Sequence, residues 1–190
     1  MSEAEGKKPA RQRILDTASE MFYRDGVRAV GIDAIIARSG VAKMSLYRNF
    51  PSKDALVTAW LEDRNAFFWR RWDQAETSRA RDPRGQLEAV LDMVAATASH
   101  PRWRGCPFLN TGTEFREPDH PARGVILAHK RAVRERLHRL ATAASANRED
   151  LCSPLGYGSS GLCLAVRLLY RKPIPTAFIG SAVKTSLMTL

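Results

Sequence analysis

Between Val30 and Lys53 two short apolar periods meet at a Ser39-Gly40 break, and the second runs straight into Pro51-Ser52-Lys53. Neither a strand nor one long helix fits this; two short helices joined by a tight turn do. Ile32, Ile35 and Ile36 fall on one face at helical spacing, and Leu46 and Phe50 do the same in the second period. Gly40 stands where the first helix has to end in a left-handed residue, a conformation that costs glycine nothing. Val41 is placed to fill the crease between the helices. The outward face of the second helix carries Lys43, Met44, Ser45, Tyr47, Arg48 and Asn49. These are mostly hydrogen-bonding and cationic side chains on a helix short enough to lie in a DNA major groove. The expectation for residues 31–50 is a helix-turn-helix.

Around this motif the chain resembles the DNA-binding domain of the TetR family of bacterial transcriptional regulators, from about Pro9 to about Trp60. The resemblance is densest in Gly40-Val41-Ala42-Lys43, Leu46-Tyr47-Arg48-Asn49-Phe50 and Pro51-Ser52-Lys53-Asp54-Ala55-Leu56. Two positions depart from the family pattern, which usually has Thr or Ser where Gly31 stands and Ser where Ala42 stands. Both are helix N-caps, and Ala in place of Ser costs a helix about 1 kcal/mol. The phosphate contact that relatives make through a hydroxyl at the first place has no counterpart on Gly31.

The resemblance implies a DNA-binding domain over residues 9–56 and an effector-binding and dimerisation domain over 57–190. It also places Tyr47, Asn49 and Lys53 on DNA phosphates, where they position the helix without reading sequence. Lys43, Met44 and Ser45, at the start of the recognition helix, are expected at base edges, with Met44 suited to an apolar contact such as a thymine methyl. Arg48 fits either task, and Arg28 is a candidate for reaching the backbone from the first loop.

The remainder reads as helix throughout. Ile14, Leu15, Ala18, Met21 and Phe22 form one stripe after Pro9, whose ring suits a first helical turn. Ser52 is placed to cap a fourth helix, with Asp54 favourably in its first turn. No Gly or Pro occurs from Lys53 to Asp82, so that helix is expected to be long. Asp82-Pro83 opens a fifth helix with Leu87, Val90, Leu91, Val94 and Ala98 on its apolar face, closed by His100-Pro101. Gly105 to Phe115 reads as a short or irregular sixth. Asp119-His120-Pro121 opens a seventh with Val125, Ile126, His129, Val133, Leu137 and Leu140 inward, stopped by Asn147. Leu162 to Tyr170 and Thr176 to Leu190 are the candidates for two closing helices, although Gly156, Gly158 and Gly161 weaken the eighth. The fold class expected is all-α, with about nine helices.

The chain has 190 residues, a net charge of +10 and a pI near 10.1. Residues 1–56 hold ten Lys and Arg against seven acids, so most of the excess lies later, in Arg70-Arg71, Arg79-Arg81-Arg84 and the 130–139 stretch. Two readings of that excess stand: solvated helix faces, or weak contact with DNA or an acidic ligand. The DNA reading rests on the motif. No apolar run approaches the roughly 20 residues of a membrane span, and the polar N-terminus does not resemble a signal peptide, so a cytoplasmic protein without membrane contact is expected. Cys106, Cys152 and Cys163 are an odd number without metal-ligand spacing. Free thiols are one reading and redox sensing through Cys106 the other.

Trp60, Phe67, Phe68, Trp69 and Trp72 occupy more than one face of the fourth helix, as either core or cavity wall. The family resemblance favours a cavity among helices four to seven, for which Phe67, Met93, Trp103, Phe108, Phe115, His129 and Val133 are candidate lining residues. His129 is equally a satisfied core histidine. Asn110, Thr111, Thr113 and Glu114 are further polar candidates. The histidines offer no metal constellation, and neither a nucleophile elbow nor a phosphate-binding glycine loop is present, so neither a cofactor nor an enzymatic activity is expected. The function expected is a dimeric repressor on a palindromic double-stranded DNA operator, paired through its C-terminal helices and released by a small-molecule effector. The alternatives are a constitutive DNA-binding factor with a filled core, an enzyme on the same helical frame, and a thiol sensor.

Overall fold

Gly26 and Gly40 fix the N-terminal architecture, because both end a helix at positive φ (+89° and +61°). The computed structural model describes residues 8–145. Among them are seven helices and no strand: α1 (Ala10–Asp25), α2 (Ile32–Ser39), α3 (Lys43–Asn49), α4 (Lys53–Thr77), α5 (Pro83–Ala98), α6 (Pro107–Glu114) and α7 (Pro121–Ser145). The expected closing helices at 162–170 and 176–190, the stop at Asn147 and the glycines at 156–161 lie outside the described residues. Pro9 sits one position earlier than expected. It is the N-cap of α1, with extended backbone, and its carbonyl accepts the Arg13 N–H at 3.0 Å.

The chain divides into two compact units. One holds the described residues up to Ala66 together with Arg104–His129; the other holds Phe67–Trp103 and the described residues from Lys130 onward. In the first, Ile14, Leu15, Ala18 and Phe22 of α1 meet Ile35 of α2, Leu46 of α3 and Leu56, Val57, Trp60 and Leu61 of α4. Val41 is buried in this core, filling the crease as expected. Phe22 and Trp60 meet edge to face at 5.4 Å, a favourable arrangement for aromatic quadrupoles. The Trp60 indole N–H donates to Ser19 Oγ at 3.2 Å. From the other stretch of this unit, Phe108, Ala122 and Ile126 join the same core.

The second unit has its own core of Trp72, Leu87, Val90, Leu140, Ala141 and Ala144. Phe68, Trp69 and Trp72 form a triangle of rings 5.1–5.8 Å apart. The Trp72 indole N–H donates to Glu76 Oε2 at 2.8 Å, so its burial leaves no unmet donor. Trp72 is core here, and Phe68 and Trp69, half-buried, pack against it. The Arg136 guanidinium, paired with Asp73, lies over the Trp69 ring.

Candidate nucleic-acid interface

The turn between α2 and α3 is held from both sides. Gly40 adopts the left-handed conformation and its N–H donates to Ile36 O at 3.1 Å. From α1, the Arg13 guanidinium donates to Ser39 O at 2.5 Å and to Gly40 O at 2.8 Å. A charged donor there satisfies carbonyls that the end of α2 leaves unpaired. Leu46 is fully buried and Phe50 nearly so, which fixes the rotation of α3 and turns the opposite row outward. Gly31 and Ala42 are the N-caps of α2 and α3, and neither helix has a side-chain cap.

Four of the six residues expected on the outward face are exposed. Met44 is 78% exposed and Tyr47 40%; Lys43 and Arg48 are exposed, while Ser45 and Asn49 are half-buried. Among the described residues the side chains of Tyr47 and Arg48 have no hydrogen-bond partner. Lys43 Nζ lies 3.4 Å from Asp33 Oδ1 at the start of α2, both side chains being mostly exposed. The Asn49 amide donates to Ser45 O at 2.7 Å, which uses one of its two amide hydrogens inside α3 and leaves the other and the carbonyl oxygen. Ser52 caps α4 as expected, accepting the Ala55 N–H at 3.0 Å.

Arg28 and Lys53 sit apart from this row. Together with Asp54, Phe115, Glu117 and His120 they line a cleft of about 350 Å³. Arg28 Nη2 lies 3.2 Å from Glu117 Oε1, and its guanidinium stands over the Phe115 ring at 5.1 Å. Phe115 stacks on His120 at 4.1 Å. The His120 Nδ1 accepts the Ala122 N–H at 3.2 Å and its Nε2 faces Asp54 Oδ1 at 3.5 Å. Partial burial pushes the Lys53 ammonium below its ordinary value, against the pull of Glu114 and Asp54; a cation so placed gains from an anion brought to it.

Sequence reasoning missed the most important brace. Glu114, at the end of α6, accepts the Val27 N–H at 3.1 Å and the Arg28 N–H at 2.6 Å, one on each carboxylate oxygen. A Cβ at Gly26 would lie 3.3 Å from the same carboxylate. Glu114 is therefore committed to the turn that precedes α2. Of its polar neighbours, Asn110 donates to Arg104 O and Thr113 to Asn110 O. All three, with Thr111, line a cleft of about 300 Å³ beside the end of α1.

The candidate effector residues separate. Phe108 and His129 come together, stacked 3.7 Å apart and buried, with His129 Nδ1 2.8 Å from Asn65 Oδ1. His129 thus meets the description of a satisfied core histidine. Phe115 belongs to the Arg28 cleft. Met93 and Val133 pack on the second unit's core. Phe67 is 43% exposed, near the guanidinium groups of Arg70 and Arg71, and Trp103 is half-buried. Cys106 is in no disulfide and lies half-buried ahead of α6. Among the described residues no three His, Cys, Asp or Glu side chains gather as a metal site, and no helix is long and apolar enough to cross a membrane.

Comparison with known proteins places the same region. Residues 14–60 match the family profile of bacterial regulatory proteins, tetR family. A TetR-family transcriptional regulator from Streptomyces coelicolor superposes with a TM-score of 0.68 at 34% identity, covering 70% of each chain. The transcriptional activator FasR of Mycolicibacterium smegmatis is 34% identical over 87 residues, 44% of this chain and 40% of its own. The transcriptional regulator AcuR of Cereibacter sphaeroides is 30% identical over 107 residues, 56% and 49%. The chain thus spans less than half the length of these two curated relatives.

Proposed function

This chain belongs to the TetR family of bacterial transcriptional regulators, and we propose that it acts in the cytoplasm as a repressor whose dimer grips a palindromic operator. The reading is carried by α3. Its buried Leu46 face pins the helix while Lys43, Met44, Tyr47 and Arg48 stand exposed in a row. Lys43, Met44 and Ser45 meet base edges; Tyr47, Asn49, Lys53 and Arg28 meet the backbone, and Arg48 serves either task. The domain over 57–190 supplies the effector site and, through the C-terminal helices, the second subunit. A small molecule need contribute only about 1–3 kcal/mol of coupling to release the DNA. The relative FasR is named as an activator, so the sign of regulation is read from reporter output with the operator placed at a promoter.

Selection of bound duplexes from a random pool tests the DNA claim. Lys43→Ala is expected to weaken binding to the selected duplex by about 1–3 kcal/mol and to relax preference at one base pair. Tyr47→Ala weakens binding without changing preference. If both variants bind as the parent does, the groove assignment is wrong.

A further inference from the structure

Arg28 is the residue of the α1–α2 loop expected at the DNA backbone, yet its immediate partners come from residues 114–117. Its N–H is held by Glu114 Oε2 at 2.6 Å, its guanidinium by Glu117 Oε1 at 3.2 Å, and its flat face covers the Phe115 ring. We propose that Glu117 is an internal competitor of operator phosphate: its carboxylate holds the Arg28 guanidinium in the free protein, and a backbone phosphate takes its place when DNA binds. The inference rests on the reading of Arg28 as a phosphate-facing residue.

The chemistry of the exchange is direct. Carboxylate and phosphate both offer a guanidinium charged oxygen acceptors, so a phosphate oxygen can take the Arg28 Nη2 that Glu117 Oε1 holds in the free protein. Both partners are more than half exposed, 58% for Arg28 and 57% for Glu117, so the pair opens without disturbing the core. The Arg28 backbone stays fixed by Glu114 throughout, and the side chain alone changes partner. The carboxyl of Glu117 is held below its ordinary range by its own backbone N–H, with Arg28 adding to the effect. The competitor is consequently charged at neutral pH. His120 donates its backbone N–H to Glu117 O at 3.2 Å while its ring Nε2 faces Asp54 Oδ1, and Lys53 borders the same cleft. Glu117 thereby sets operator affinity from outside the helix-turn-helix.

The experiment uses the full chain and the duplex it selects from a random pool, followed by fluorescence anisotropy over a salt series. Exposed pairs are worth little, so Glu117→Gln is expected to tighten binding modestly, about two- to five-fold per bound chain. Arg28→Ala weakens binding and lowers the salt slope by about one per chain. In the Arg28→Ala background Glu117→Gln has no effect. Tightening that persists in that background would mean general relief of negative charge and would overturn the proposal, as would Glu117→Gln binding no tighter than the parent. Lys43→Ala separates the two levels. If it weakens binding while the Arg28 and Glu117 variants do nothing, the competitor idea alone fails; if it too does nothing, the interface reading fails with it.

Discussion

At the residue scale, the two places that depart from the family pattern have measurable consequences. Ala42 caps α3 with backbone alone, and a serine hydroxyl there accepts an N–H that the first turn otherwise leaves to water. Ala42→Ser is expected to raise unfolding stability by about 1 kcal/mol, read as a shift in urea midpoint without a change in slope. Gly31 has ordinary negative φ and open space where a Cβ would stand. Gly31→Ser therefore fits and gains only a few tenths of a kcal/mol, about what separates the two as N-caps. Gly40→Ala goes the other way. At φ +61°, with Arg13 3.2 Å from the new Cβ, it is expected to cost about 1–2 kcal/mol. A parent-like midpoint for Gly40→Ala would show that the turn is not held as described. These residues were legible in the sequence because each effect is local: a glycine after an apolar period, a cap before one. Arg13, Glu114 and Glu117 were not. Arg13 reaches Gly40 across 27 positions and Glu114 reaches Arg28 across 86, and no periodicity announces which distant carboxylate a backbone amide will meet.

At the scale of elements, α6 is the instructive case. Its sequence, opened by Pro107 with Gly112 inside, reads as a short or irregular helix, and it forms eight residues of regular helix. The reason is tertiary: Phe108 and Thr111 are buried, and Phe108 joins the core of the first unit. That packing offsets the glycine's weak propensity. The same packing aims Glu114 at the α1–α2 turn. Glu114→Gln keeps the shape but replaces one acceptor oxygen by a donor, so one of two amide N–H groups loses its partner. Hydrogen bonds to charged groups are worth about 1.5–3 kcal/mol. Amide exchange at Val27 and Arg28 is therefore expected to accelerate about ten-fold or more, while exchange in α4 stays as in the parent. Equal exchange at Val27 and Arg28 in both proteins would show that the carboxylate braces nothing. The aromatic run of α4 was half legible. Its spread over several faces ruled out a solvated spacer, but burial alone decided that Trp60 and Trp72 are core while Phe67 stays exposed.

At the scale of the molecule, charge sets the response to pH, and the proposed dimer makes a demand on operator symmetry. Asp16 is held below its ordinary value by hydrogen bonds from Lys8 and then Gln12, and Asp25 by Arg24. With Glu117 they make the folded chain bind fewer protons than the unfolded one below the ordinary carboxylate range. Their stabilisation is present in full above that range and is lost as pH falls through the depressed values. Lys53 acts at the other end, because its lowered value makes stability rise as pH climbs through that value towards the ordinary lysine range. Urea midpoints measured against pH are expected to fall on the acid side, and less steeply in Asp16→Asn; a parent-like acid slope there removes Asp16 from this account. Symmetry gives the larger test. Two recognition helices face the same side of the duplex when half-site centres lie one helical turn, about 34–36 Å, or a multiple of it apart. Adding about five base pairs between the half-sites turns one of them to the far side. Only one α3 then engages, and affinity is expected to fall at least about a hundred-fold towards the nonspecific level. Adding a full turn of about 10 base pairs restores the facing but stretches the span by about 34 Å. The length of the two linkers therefore separates helical phase from reach. Undiminished affinity with the half-turn insertion would mean that each chain reads its half-site alone, and the dimeric grip would have to be given up.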